Sequence, residues 1–202
     1  MNPTPNFGEA TLIWWPEYGM GHHPAAPMNY DGSYWSEYRE RDASAMGAQL
    51  TAARVDLVRR HWAGEVVDVG IGGGRFVEEV EGQGFDVNPE AIAWLKAGDR
   101  YRNPYHGVDA VTCWDSLEHI VDPAALVASA RHWVFVSMPI YANAQDCLQS
   151  RHYKPSEHLW YWEHDGLIRW FQRLGFECRE HNTMESILGR DGIHSYAFRR
   201  TA

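Results

Sequence analysis

Seven consecutive residues, Asp68-Val69-Gly70-Ile71-Gly72-Gly73-Gly74, carry the strongest chemical signal in this 202-residue chain. Glycine has no Cβ and tolerates positive φ, so such a run lets the backbone turn sharply and come close to a ligand. Asp86 stands at the end of the next short apolar run. A carboxylate there can accept hydrogen bonds from both hydroxyls of a ribose; equally, it can cap the helix that Pro89 opens. Two histidines, His119 in Ser116-Leu117-Glu118-His119 and His158 in Ser156-Glu157-His158-Leu159-Trp160, bring imidazoles suited to proton transfer near neutral pH. Either can also be a structural histidine bonded to backbone.

The elements that must position these residues follow from the pattern around them. Residues 1–30, rich in Pro, Gly and Asn, read as an irregular arm. Asp31 or Ser33 caps a short helix through Arg41, and a second helix runs from Ser44 to Trp62, with Met46, Leu50, Ala53 and Leu57 on one face. Then short β-branched runs alternate with helices. Strands are expected at Glu65–Val69, Gly84–Val87, Val108–Trp114 and Trp133–Ser137, the last ended by Pro139. Helices are expected at Arg75–Val80, from Pro89 through Leu95, from Pro123, and at Asp165–Leu174, before two closing strands at Phe176–Glu180 and Ser195–Arg199. Alternation at this spacing predicts a parallel sheet with helices on both faces. Residues 1–62 form an N-terminal arm and helices packed on a core domain of residues 63–202.

The glycine spacing discriminates between nucleotide classes. A dinucleotide fingerprint starting at Gly70 needs a glycine at 75, where Arg75 stands. The pattern is instead acid-x-G-x-G-x-G, which resembles motif I of class I S-adenosylmethionine-dependent methyltransferases. The resemblance implies that Asp68, Gly70, Gly72 and Gly74 hold the amino-acid part of the cofactor. Gly84-Phe85-Asp86-Val87-Asn88-Pro89 resembles the family's next segment and implies that Asp86 and Val87 bind it too. Cys113-Trp114-Asp115-Ser116-Leu117-Glu118-His119-Ile120 is similar to the stretch that follows a central strand in the group containing the ubiquinone-biosynthesis O-methyltransferases. By that similarity Trp114, Asp115 and Ser116 line the cofactor cleft. The likeness covers roughly residues 65–140.

The resemblance implies an α/β, Rossmann-like, seven-stranded, mostly parallel sheet with an antiparallel C-terminal edge hairpin, here with an N-terminal helical and aromatic extension. It also implies S-adenosylmethionine as cofactor, S-adenosylhomocysteine as product, and an acceptor side near His119 and His158, one of them acting as general base. Methyl transfer from a sulfonium is an in-line displacement, in which alignment is the protein's main contribution. Only Ala97 to Gly107 separates the helix after Asp86 from the next strand, so the family's third strand must be short or irregular. Asp99 is an adenine-binding candidate by position alone. Tyr30, Tyr34 and Trp35 form a lid, through cation–π attraction to the sulfonium, or pack ordinarily on the sheet.

Composition weighs against some partners. A net charge of -9, from 27 acids against 18 bases, disfavours long nucleic acid as a partner. The three cysteines have no paired spacing, Met1 to Met20 has no secretory pattern, and Trp133 to Ile140 is too short to cross a bilayer. A cytoplasmic, membrane-free protein with a small-molecule acceptor is the expectation. His152, His158 and His164 recur every six residues, an interval that suits neither one helix face nor one strand face reliably, and no Cys or carboxylate cluster has ligand spacing, so no metal is expected. A non-catalytic S-adenosylmethionine-binding partner and, behind it, an NAD-dependent oxidoreductase are the alternatives. Residues 141–164 and 182–192 carry no assigned role.

Overall fold

The computed structural model describes residues 12–24 and 32–201. The strands are β1 (Ile13–Trp15), β2 (Met20–His22), β3 (Val67–Val69), β4 (Gln83–Phe85), β5 (Val108–Trp114), β6 (Ala130–Tyr141), β7 (Trp160–Glu163), β8 (Phe176–Asn182) and β9 (Ile193–Arg200). The α-helices are α1 (Gly32–Ala43), α2 (Ala45–His61), α3 (Arg75–Glu79), α4 (Pro89–Ala97), α5 (Pro123–Ser129), α6 (Ala144–Gln149), α7 (His164–Arg173) and α8 (Met184–Ile187). Capping chemistry fixes several starts. Ser44 Oγ accepts from Gly47 N at 3.0 Å at the head of α2, and Asn88 Oδ1 accepts from Glu90 N at 2.8 Å just before Pro89.

Strands β4, β3, β5 and β6 are parallel neighbours, and β9 runs antiparallel between β6 and β8. Strict alternation along the strands sorts the core onto two faces. Val67, Val69, Val111, Cys113, Val134 and Val136 meet Leu126 and Val127 of α5 and Leu167 and Phe171 of α7. Val66, Ala110, Trp133, Phe135 and Ala197 face Leu57 and Val58 of α2 and Phe76 of α3. The mostly parallel sheet with helices on both faces is the one expected.

Three expectations are corrected: the strand count, the irregular arm and the end of the strand at Pro139. The third family strand is one parallel bridge, Gly84 to Tyr101, as the short intervening segment requires; the seven-strand count fails there and at the other edge. At that edge part of the arm is ordered sheet: β1 and β2 form a hairpin, and β2 pairs with β7, which pairs with the end of β6. The hairpin lies directly on α7, because Gly166 has no Cβ to collide with the Gly19 carbonyl. Pro139 does not end β6, since β5 stops pairing at Ser137 and its missing N–H leaves no ladder bond unmade on that side. The closing pair is the antiparallel edge hairpin expected, with β9 paired to β6 and β8 forming the edge. The expectations for Tyr30 and Asp31 lie outside the described residues.

Candidate functional site

The chain crosses from β3 to β4 on one side and returns to β5 on the other, so the carboxyl ends of β3 and β5 flank a topological switch point, where open α/β sheets bind ligands. The glycine loop leaves Val69 at this point. Gly70, Gly72 and Gly74 have φ of 75°, 56° and 85°, a region that costs other residues about 1–2 kcal/mol. A Cβ on Gly70 would stand 2.7 Å from Ser116 Cβ. Ser116, expected in the cleft wall, thus touches the loop, and its hydroxyl donates to the Val69 carbonyl at 2.5 Å.

Asp86 closes the same corner. Its Oδ2 accepts from Ile71 N at 2.9 Å, and its Oδ1 accepts from Val87 N at 2.7 Å and Asn88 N at 2.8 Å. The cap of α4 belongs to Asn88, so Asp86 is not that helix's cap. Burial raises the Asp86 pKa, against the pull of the three amides. Oδ2 holds one amide and can accept again, the capacity a ribose hydroxyl requires. Val87 stands beside it with 63% of its surface exposed.

Asp68 lies beneath the loop, 1% exposed, and accepts from Thr112 Oγ1 at 2.6 Å across the β3–β5 pair. Burial first, then the nearby Asp86 and Asp42 carboxylates, push its pKa up to about 7 against Thr112 and Arg54. Its observed contact is structural, tying the loop's strand to β5. Above the loop lies α1. Tyr38 approaches the Gly72 position to 3.2 Å, Arg39 donates to Gly73 O at 2.8 Å, and Asp42 accepts from Arg75 N at 3.2 Å. Of the expected lid residues, Tyr34 lies against Tyr38 at 4.4 Å between ring centroids, and Trp35 packs on Trp94 of α4 at 5.8 Å.

The other two expected wall residues are held by groups the sequence did not mark. Trp114 turns its ring into the core, edge-on to Phe76 at 5.1 Å and beneath the Arg54 guanidinium. Asp115, at φ 54°, is gripped by two arginines: Arg190 at 2.6 and 2.9 Å and Arg54 at 3.0 Å. Burial alone would raise the Asp115 pKa, but the two guanidiniums outweigh it and hold it low. Buried Glu185 of α8 completes the network, accepting from Arg54 at 2.7 and 2.9 Å and pairing with Arg190. The unassigned segment 182–192 therefore docks onto the residue that follows β5. No local pattern announces this; a lone arginine beside the apolar face of α2 was its faint sign.

His119 and His158 do meet. Ser116 O accepts from His119 N in the short turn Leu117–His119, and Leu159 N donates to Glu118 O at 2.8 Å, which brings the start of β7 against that turn. The two imidazoles stand edge to face, 4.7 Å between centroids. His119 Nδ1 lies 3.0 Å from Glu157 O, which places the proton on Nδ1 and leaves Nε2 as a free base. Burial lowers the pKa of His119; burial and then His119 push His158 down to about 3. Both are neutral at pH 7. Beside them Glu118, 2% exposed, has two carboxyl oxygens with no hydrogen-bond partner, and burial followed by Asp115 drives its pKa up to about 8. Glu118, His119 and His158 bring ligand atoms within 4.8 Å of one another, so this corner has the donor set for a small cation as well as for proton transfer.

A pH prediction follows. The folded chain retains the Glu118 proton up to about 8, whereas the unfolded chain releases it near 4.5. The associated stability is full below pH 4.5 and is lost as pH rises through about 8, at about 1.4 kcal/mol per unit. Asp68 acts in the same direction between 3.8 and about 7. Glu118→Gln should therefore flatten the fall in melting temperature between pH 6 and 9, at about 2–4 °C per kcal/mol. Calorimetric melts of both proteins check this; parallel curves would remove Glu118 as the cause.

Residues 35–181, well over half of the chain, match the sequence profile of a family described as Methyltransferase domain. Comparison with curated proteins gives no sequence match. Among solved structures, one chain of a Haloferax volcanii complex containing the Trm112 methyltransferase activator superposes with a TM-score of 0.62 at 16% identity, covering 84% of this chain and 97% of that one. A SAM-dependent methyltransferase from Archaeoglobus fulgidus gives 0.57 at 14% identity, over 83% of this chain and all of that one. The magnesium protoporphyrin IX methyltransferase of Synechocystis PCC 6803 with bound S-adenosylhomocysteine gives 0.55 at 12%, over 87% and 90% of the two chains. With a glycine loop at the switch point, an acid fixed beside it and a family profile running through both, the chain belongs to the S-adenosylmethionine-dependent methyltransferase domain family.

Proposed function

We propose that this methyltransferase acts on a small-molecule acceptor whose nucleophile is presented to the His119–His158 corner. What carries the reading is the His119 imidazole: its Nδ1 is committed to Glu157 O while Nε2 is left as a base, one turn beyond the serine that touches Gly70. The residues fit the cofactor, since Asp86 Oδ2 retains capacity for a hydroxyl beside a loop whose Gly70 and Gly72 hold positive φ. When bound, S-adenosylmethionine supplies a methyl group on a sulfonium. His119 Nε2 would take the proton that a hydroxyl or ammonium acceptor gives up to become the nucleophile, while the carbon–sulfur bond to the methyl group would break with its electrons left on sulfur. Tyr34 and Tyr38 of α1 cover the loop and help to exclude water. No helix among the described residues is long and apolar enough to cross a membrane, and the excess of acids supports a small acceptor over long nucleic acid.

Incubation with methyl-labelled S-adenosylmethionine and fractionated metabolite pools tests this: label should pass to a low-mass fraction. Cofactor binding without transfer to any pool would favour a binding protein instead. Asp86→Ala should weaken S-adenosylhomocysteine binding by about 1–3 kcal/mol, or 5–150-fold in Kd by calorimetry. Unchanged affinity would remove Asp86 from the cofactor site.

A further inference from the structure

Three histidines far apart in sequence meet on the α7 side of the sheet, apart from the glycine loop and the His119 corner. His164 is the first residue of α7, His181 lies in β8, and His194 lies in β9. β8 and β9 pair antiparallel with His181 opposite Tyr196, so His194, two residues before Tyr196, projects from the same face as His181. His164 is laid against them by the helix start, its ring 4.4 Å from that of His181 and 6.5 Å from that of His194. One ligand nitrogen from each lies within 4.8 Å of the others. We propose that His164, His181 and His194 form a binding site for an imidazole-preferring divalent transition-metal ion, with zinc as the reference ion.

Three observations support it. First, the nitrogens converge. His181 Nε2 and His194 Nδ1 stand 3.0 Å apart, and a ligand nitrogen of His164 lies within 4.8 Å of one on each of the other two rings. A cation accepts all three. Second, the outer contacts are those of an oriented ligand: the hydroxyl of fully buried Tyr196 meets His164 Nδ1 at 2.8 Å, which leaves Nε2 free to ligate. Third, the site is reachable: His181 is exposed and the other two histidines are half-exposed. A tetrahedral zinc site wants nitrogens about 3.3 Å apart, from bonds of about 2.0–2.1 Å, so small ring rotations suffice. Asp165, whose Oδ1 is 4.0 Å from His164 Nε2 and whose side chain is mostly exposed, is placed to approach the fourth position. Bound metal would bolt the start of α7 to the β8–β9 pair.

The test uses tag-free, chelator-stripped protein titrated with zinc chloride, against a competing indicator dye and by calorimetry. Wild type should take one equivalent at micromolar Kd or tighter, and its melting temperature should rise with zinc. His181→Ala and His194→Ala, at exposed or half-exposed positions, should each weaken binding at least 10-fold. Tyr196→Phe keeps the ring and all three ligands but loses the orienting hydroxyl, and should weaken binding by about 10–100-fold. Glu118→Gln should leave zinc affinity unchanged. The proposal falls if wild type shows no binding below about 100 µM, if the His181 and His194 variants keep wild-type affinity, or if Glu118→Gln abolishes binding and so moves the metal to the other corner. A variant whose circular dichroism or zinc-free melt departs from wild type is replaced by His→Asn at the same position and judged by the same criterion.

Discussion

His119→Gln should reduce kcat by about 10²–10⁴-fold while leaving the Kd for S-adenosylhomocysteine within a few-fold of wild type. The amide preserves much of the ring's volume and can still donate to Glu157 O, but it has no basic nitrogen to replace Nε2. Because the base acts only on the acceptor, the loss should be largest for acceptors whose nucleophile starts protonated and small for one that is already a free anion. The pH profile carries the same information. With the His119 pKa lowered by burial, wild-type activity should rise through a limb below the ordinary histidine value, and that limb should vanish in the variant. A variant with wild-type kcat across the profile would reduce His119 to a structural residue held by Glu157.

The second large effect concerns stability. Arg54→Met should destabilise the fold by about 3–5 kcal/mol, the cost of removing one partner from a buried ion network. Arg54 bridges Glu185 at 2.7 Å and Asp115 at 3.0 Å, with only 16% of its side chain exposed. Without it, two carboxylates share the single guanidinium of Arg190. The double variant Arg54→Met, Glu185→Leu leaves Asp115 and Arg190 as a balanced pair and should recover more than half of the loss. Urea unfolding of wild type, single and double variants reads this directly. A single variant within 1 kcal/mol of wild type would show that water reaches the network and screens it.

Much of the nucleotide-like core was legible because its signals are local. Gly70, Gly72 and Gly74 adopt the positive φ that only glycine takes cheaply, Pro89 and Pro123 sit at helix starts, and β-branched runs mark Val67–Val69 and Val108–Trp114. Asp86 was legible for the same reason, since its partners Ile71, Val87 and Asn88 follow from one strand–turn register. The hairpin β1–β2 and strand β7 were not legible. Their segments are three and four residues long, and pairing with one another and with the end of β6, rather than propensity, makes them strands.

The sequence alone determined the methyltransferase family and the strands, glycine loop and helices of its core, because glycine conformation, capping and alternation are interactions among near neighbours. Tertiary structure alone decided that Asp68 lies under the loop tied to Thr112, and that Asp115 is clasped by Arg54 and Arg190. It also brought His119 to His158, and His164 to His181 and His194. These partners lie from 13 to more than 70 residues apart, where side-chain chemistry is fixed by the packing of whole elements. Charge and proton placement depend on burial as much as on residue type, and burial is settled only when the sheet's two faces are covered.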